Sequence, residues 1–232
     1  MEQLGLGLLG GGLGAGLAVL AGQTLRAGRV RQAGRGGYFD LCAKALEHPR
    51  RGDGSAGFPR LAGRYGGAEL DLQAVPDTLT FRKLPALWVL VTLPGPQPLA
   101  GKLDLMIRPT GVEPFSHFHT LAHQIAPPPG FPDDCALRTD APGALLPDDL
   151  LIPHLGLFED ECVKELILSP KGLRISFLAE EANRGRYLIF RDAELGRTAL
   201  PFERVQPYLD ALLALRRDLW AQLGAPDQRP AG

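Results

Sequence analysis

The hydrophobic pattern changes period along the chain, and each change predicts a different element. Leu4 to Gly22 (LGLGLLGGGLGAGLAVLAG) is one uninterrupted run of nineteen residues without a charge or a strongly polar group. As a helix rising ~1.5 Å per residue it reaches roughly 28 Å, close to the ~30 Å hydrocarbon core of a bilayer. The run therefore predicts a transmembrane anchor over residues 1–25. Tyr38, Leu41, Cys42, Ala45 and Leu46 then recur on one helical face, which predicts a short amphipathic helix ended by Pro49. Pro49 to Arg60 is rich in glycine, proline and charge and reads as a linker.

Period two follows. AELDLQAV sets Leu70 and Leu72 against Asp71 and Gln73, TLTFRKL sets Leu79 and Phe81 against Thr80 and Arg82, and ALWVLVTL is continuously apolar. These patterns predict two half-exposed strands beside a buried one. KLDLMIRP adds Leu103, Leu105 and Ile107 on one face of a further strand. Short spacings set by Pro76-Asp77 and Pro94-Gly95 favour antiparallel pairing over helical crossovers. Phe115 to Ile125 predicts a helix stopped by three prolines, CALRTD a short strand, and LPDDLLIPHLGLF a helix broken at Pro153. VKELILSPKGLRISFL carries the clearest hairpin signal, with Ser169-Pro170-Lys171-Gly172 at the turn, and RGRYLIFRD is expected to add a partner strand. Val205, Tyr208, Leu209, Leu212, Leu213, Leu219, Trp220 and Leu223 recur at helical spacing up to Gly224, so a long C-terminal helix should cover the sheet.

The expected fold class is α+β: a single N-terminal transmembrane helix, then a mostly antiparallel sheet packed with helices. The expected organisation is an anchor at 1–25, a basic juxtamembrane helix and linker at 26–60, an α+β domain at 61–224 and a disordered tail at 225–232.

Two other readings of the opening run are weaker. Gly5, Gly7 and Gly10 satisfy the dinucleotide fingerprint, but that motif needs a preceding strand and only MEQL stands before it. A secretory signal needs a positive n-region, and Glu2 is the one charge there. Gly7, Gly10, Gly11, Gly12, Gly14 and Gly16 repeat small-xxx-small spacing, a flat face through which copies of the helix could associate as a homo-oligomer. Arg26, Arg29, Arg31 and Arg35 follow directly, and the positive-inside rule holds such a cluster at the cytoplasmic surface, against anionic lipid head groups. With a composition rich in Gly, Ala, Pro and Arg, this places the protein on a bacterial inner membrane with its C-terminal domain in the cytoplasm.

Charge is balanced overall, at a formal −1, which excludes the strongly basic character of a nucleic-acid binder. It is unevenly placed: nine Lys or Arg oppose three acids between Arg26 and Arg64, while eight acids oppose Arg138 alone between Asp133 and Glu161. Cys42, Cys135 and Cys162 lack the paired spacing of metal or redox motifs and read as reduced, buried thiols.

The sharpest chemical candidate is SHFHTLAH. On a helix His119 and His123 stand at i and i+4 and could share a metal, although Thr120 occupies the place of the general-base Glu in H-E-x-x-H. His117 points off that face, so His154 or an acid of the 133–161 stretch would have to complete the set. Ser116 beside His117 lacks the geometry of a nucleophile–base pair. Asp148 and Asp149 fit the N-terminal turn of a helix better than a calcium loop. Arg184, Arg186 and Arg191 form a small basic cluster suited to a phosphate or an acidic partner, or to a solvated strand edge. With no cofactor motif in a workable context, the expectation is a non-catalytic interaction or assembly role with an unidentified protein partner at the membrane. The alternative is a membrane-tethered, metal-dependent hydrolase using His119 and His123.

Overall fold

The computed structural model describes residues 34–78, 84–109, 111, 113–143, 145–190 and 193–224, together with 19, 21–23 and 26. Nine strands form one antiparallel sheet: β1 (Glu47–Asp53), β2 (Pro59–Tyr65), β3 (Ala68–Asp77), β4 (Ala86–Pro94), β5 (Leu103–Ile107), β6 (His123–Ile125), β7 (Cys135–Thr139), β8 (Val163–Ser169) and β9 (Gly172–Glu181). Their spatial order is β1-β2-β3-β4-β9-β8-β5-β7-β6. From residue 40 onward the described helices are few: α1 (Asp40–Ala45), α2 (Asp148–Leu151), α3 (Arg184–Phe190) and α4 (Gln206–Leu223), with 3-10 turns between them.

Register explains how the alternating sequence builds two unlike faces, because strand neighbours in one transverse row share a face. Leu61, Leu72, Val91, Ile175, Leu166, Leu105, Leu137 and Ile125 are successive partners from β2 across to β6. That row is apolar at every position. α4 lies against this face, burying Tyr208, Leu209, Leu212, Leu215 and Leu219, and the Tyr208 ring centroid sits 4.4 Å from that of Phe177 on β9. Leu215 joins the buried stripe, while Trp220, expected within it, is 44% exposed.

The segment expected to link a membrane helix to the domain belongs to the sheet and its core. β1 pairs with β2, and Tyr38, Phe39, Cys42 and Leu46 join the same core as Phe58 and Leu61. The Leu200 amide donates to the Tyr38 carbonyl at 2.7 Å, and the Cys42 thiol lies 3.4 Å from the Leu200 carbonyl. Arg35 is held within the fold as well, donating to the Ala56 carbonyl at 2.9 Å with its guanidinium 5.0 Å from the Phe58 ring centre.

The expected fold class is therefore corrected. The chain is dominated by a large antiparallel sheet with few helices, and among the described residues no helix is long and apolar enough to cross a membrane. The single-pass anchor and the inner-membrane location built on it lose their basis. Gly7, Gly10, Gly11, Gly12, Gly14, Gly16, Arg29 and Arg31 lie outside the described residues, as does most of the strand expected at 78–84; Arg26 is exposed.

Two elements change type. The expected helix at 115–125 is a 3-10 turn, Phe118–Thr120, followed by β6. Side chains there compete for the backbone: Ser116 Oγ accepts from the Phe118 amide at 2.9 Å and Thr120 Oγ1 donates to the His117 carbonyl at 2.6 Å. The expected strand at 184–192 is instead α3, with the Tyr187 amide donating to the Asn183 carbonyl at 2.9 Å. The β8–β9 hairpin, its turn and α4 agree with the pattern that predicted them.

Candidate functional site

The face of the sheet opposite the core is polar. Its row runs through Arg50, Ala62, Asp71, Thr92, Arg174, Ile167, Asp104, Arg138 and Gln124, one residue from each of the nine strands. The next row includes Arg60, Gln73, Leu90, Ser176, Glu165 and Met106. Charged residues thus lie on a rigid strand scaffold rather than on loops.

One half of this face is covered. Phe115 stacks on Trp88 with ring centroids 4.5 Å apart. Arg138 donates to the Leu121 carbonyl at 2.8 Å and to Gln124 Oε1 at 3.2 Å, with its guanidinium 5.6 Å from the centre of the Phe118 ring. Beneath this segment Glu165 and Asp104 are both fully buried. Glu165 accepts hydrogen bonds from Ser116 and, at 2.8 Å, from Ser176. Asp104 has Lys102 Nζ at 3.3 Å from Oδ2 as its ion-pair partner and the Glu165 carboxyl group as its nearest acidic neighbour. Burial and the nearby Glu165 charge push the Asp104 carboxyl up to about 8 against the pull of Lys102, and burial raises Glu165 as well.

The other half forms a trough of two depressions that meet at Thr92. One, of about 390 Å³, is lined by Arg50, Arg60, Glu69 and Asp71 among others. The second, of about 230 Å³, is lined by Thr92, Lys102, Ile167, Ser169, Lys171 and Arg174. The cations of the first depression are already matched: Arg50 pairs with Glu69 at 2.9 Å and Arg60 with Asp71 at 2.5 Å. In the second, Arg174 and Lys171 have no carboxylate partner among the described residues; Arg174 spends only its Nε, on Thr92 Oγ1 at 3.1 Å.

The histidine candidates are not assembled as a helix face would assemble them. His119 closes the 3-10 turn with Nε2 2.8 Å from the Gly111 carbonyl, whereas His123 is exposed on β6. His154 pairs with Asp218 at 3.1 Å on the core side of the sheet. Among the described residues no group of three or more His, Cys, Asp or Glu side chains is arranged to hold a metal ion. Ser116 serves Glu165 and the turn rather than His117. Asp148 and Asp149 occupy the first turn of α2. Burial pushes the thiols of Cys42 and Cys135 up to about 12, so both stay protonated. Arg184 sits on α3; the Arg186 side chain and Arg191 lie outside what is described.

Sequence reasoning missed the Arg174 site. Thr92 sits inside a run read as wholly buried, and Arg174 reads as the ordinary polar member of an alternating strand. Their opposition across β4 and β9 follows from register alone. Comparisons with models of known protein families, with curated proteins and with solved structures found no match to this chain.

Proposed function

We propose that this protein is a non-catalytic binding module whose polar sheet face receives an anionic partner. The observation that supports the reading is Arg174: a half-buried guanidinium, anchored through Nε to Thr92, with no carboxylate in ion-pair contact among the described residues and both terminal amino groups unspent. An arginine in that state is preorganised for a bidentate acceptor, and less rotamer entropy is lost on binding. Lys171 and Lys102 add positive charge at the same depression, and a low-dielectric sheet wall behind them concentrates the field. The apolar face is already covered by α4, which leaves the polar face as the surface with unmet electrostatic demand.

The test is backbone-amide shift mapping with two simple anions, inorganic phosphate and a short polyglutamate peptide. The reading expects saturable shifts confined to the polar rows, weakening as salt is raised. Shifts scattered over α4 and the core-side turns, or none from either anion, would overturn it.

A further inference from the structure

We infer that the depression beside the β8–β9 hairpin is the seat of a small phosphomonoester, its phosphate held by Arg174, Lys102 and Lys171; this rests on the polar face being the binding surface.

The donors are set by the fold. The Thr92 hydroxyl oxygen accepts from Arg174 Nε, which leaves its own proton to give to a ligand. Ser169 Oγ donates to the Gly172 carbonyl at 2.9 Å and accepts from the Lys171 amide at 3.3 Å, so the hydroxyl is spent on fixing the backbone that carries Lys171. Gly172, at φ +148°, closes the hairpin where a Cβ would stand 2.5 Å from the Leu93 carbonyl oxygen. The Lys102 backbone is tied as well, its amide donating to Asp140 Oδ1 at 2.7 Å.

Charge count selects the ligand class. A carboxylate offers two oxygens and one charge, which a single arginine fork satisfies. The fork, two ammonium groups and a hydroxyl donor around one depression match a dianion with three terminal oxygens. Asp104 lies under Lys102, and burial raises it to about 8, so at neutral pH it takes little of that positive charge; the buried Glu165 draws on Lys102 and Arg174 and offsets part of it, which still leaves an excess of positive charge for the ligand. A third depression, of about 630 Å³, shares Lys102, Ser169 and Lys171 and continues over Gly101, Asp140, Ala141 and Pro170. It gives the organic part of an ester a place beside the phosphate, which inorganic phosphate alone would leave unfilled.

The experiment is calorimetric titration of the full chain with inorganic phosphate and with glycerol 3-phosphate, on wild type, Arg174→Lys, Lys171→Ala and, as a control of equal charge change, Arg217→Ala on α4. One-to-one binding is expected, tighter for glycerol 3-phosphate. Arg174→Lys, which keeps the charge and loses the fork, should weaken it about tenfold or more. Arg217→Ala should leave it within about twofold, with unfolding temperatures showing that each variant is folded. Equal losses in Lys171→Ala and Arg217→Ala, an unweakened Arg174→Lys, or no preference for the ester over phosphate, would overturn the inference. If both phosphates fail while polyglutamate still maps to the polar rows, this inference fails and the binding-face reading stands.

Discussion

Asp104 and Glu165 stand diagonally across β5 and β8 on the polar face, each with no exposed surface. Their surroundings divide them. Glu165 accepts from two serine hydroxyls, which favour its charged form, whereas Asp104 has the ammonium of Lys102 at 3.3 Å and the Glu165 carboxyl group close by. A proton on Asp104 keeps two buried negative charges from facing each other.

This arrangement fixes the sign of a pH effect. An unfolded aspartate titrates near ~4, and folding raises Asp104 to about 8. The stability this proton contributes is complete below the unfolded value and is lost as pH rises toward the folded one, because between them the folded state holds the extra proton. Asp104→Asn keeps the shape without the titration. The unfolding temperature of the variant should therefore gain on wild type steadily from about pH 4 to about pH 8. A difference between the two that does not vary with pH would show that Asp104 is already ionised in the fold.

Two glycines carry a backbone approach that no side chain permits. A Cβ on Gly172 would meet the Leu93 carbonyl oxygen at 2.5 Å, and one on Gly101 would meet Ala141 Cβ at 2.3 Å and Asp140 Oδ1 at 2.7 Å. Alanine at either position should cost about 1–3 kcal/mol in denaturant unfolding. At Gly143 nothing lies within 4 Å and φ is ordinary, so Gly143→Ala should stay within ~0.5 kcal/mol. Equal costs at all three sites would contradict the close approaches.

The long C-terminal helix separates packing from hydrophobicity. Leu212 is wholly buried against the sheet while Trp220 is 44% exposed. Leu212→Ala should cost about 2–5 kcal/mol by leaving a cavity, and Trp220→Ala under ~1 kcal/mol despite the larger side chain removed. Denaturant midpoints with unchanged slopes would report both.

β3, β4, β5, β8, β9 and α4 were legible because each keeps one pattern over its length, and the hairpin because Pro170 and Gly172 sit at turn positions; β1 and β2 fell in and beside a stretch that read as a linker, and β6 inside an expected helix. The chain near Phe115 was misread because Ser116 and Thr120 bond the backbone locally, which hydrophobic spacing does not register. The opening run predicted an anchor from length and apolarity alone, and the expected class and location were built upon it; most of that run lies outside the described residues, among which no helix is long and apolar enough to cross a membrane. Of the helical face expected at 38–46, Tyr38, Cys42 and Leu46 are buried while Leu41 and Ala45 are exposed, and the place of Tyr38 and Cys42 in the main core depends on contacts with Leu200, far along the chain. The polar face was legible only as alternation. Which polar residues meet there depends on the spatial order of the strands, in which β9 and β8 lie between β4 and β5.

Arg60 and Asp71 form a pair whose two halves differ in burial, at 55% and 12% side-chain exposure. Deleting the acid returns an exposed guanidinium to water, at little cost. Deleting the arginine strands a largely buried carboxylate, which carries a desolvation penalty of about 1–3 kcal/mol. Arg60→Ala should accordingly destabilise the protein more than Asp71→Ala, by about 1 kcal/mol. The double variant should recover most of that difference, because removing both partners leaves no orphaned charge. Chemical denaturation of the three variants completes the cycle. A double variant as unstable as the sum of the singles would mean that the two side chains do not interact, and that Asp71 is compensated by another cation of the polar face. The asymmetry bears on binding too: Asp71→Asn removes negative charge from the trough beside Thr92, so anion affinity should rise while the affinity of Arg174→Lys stays low.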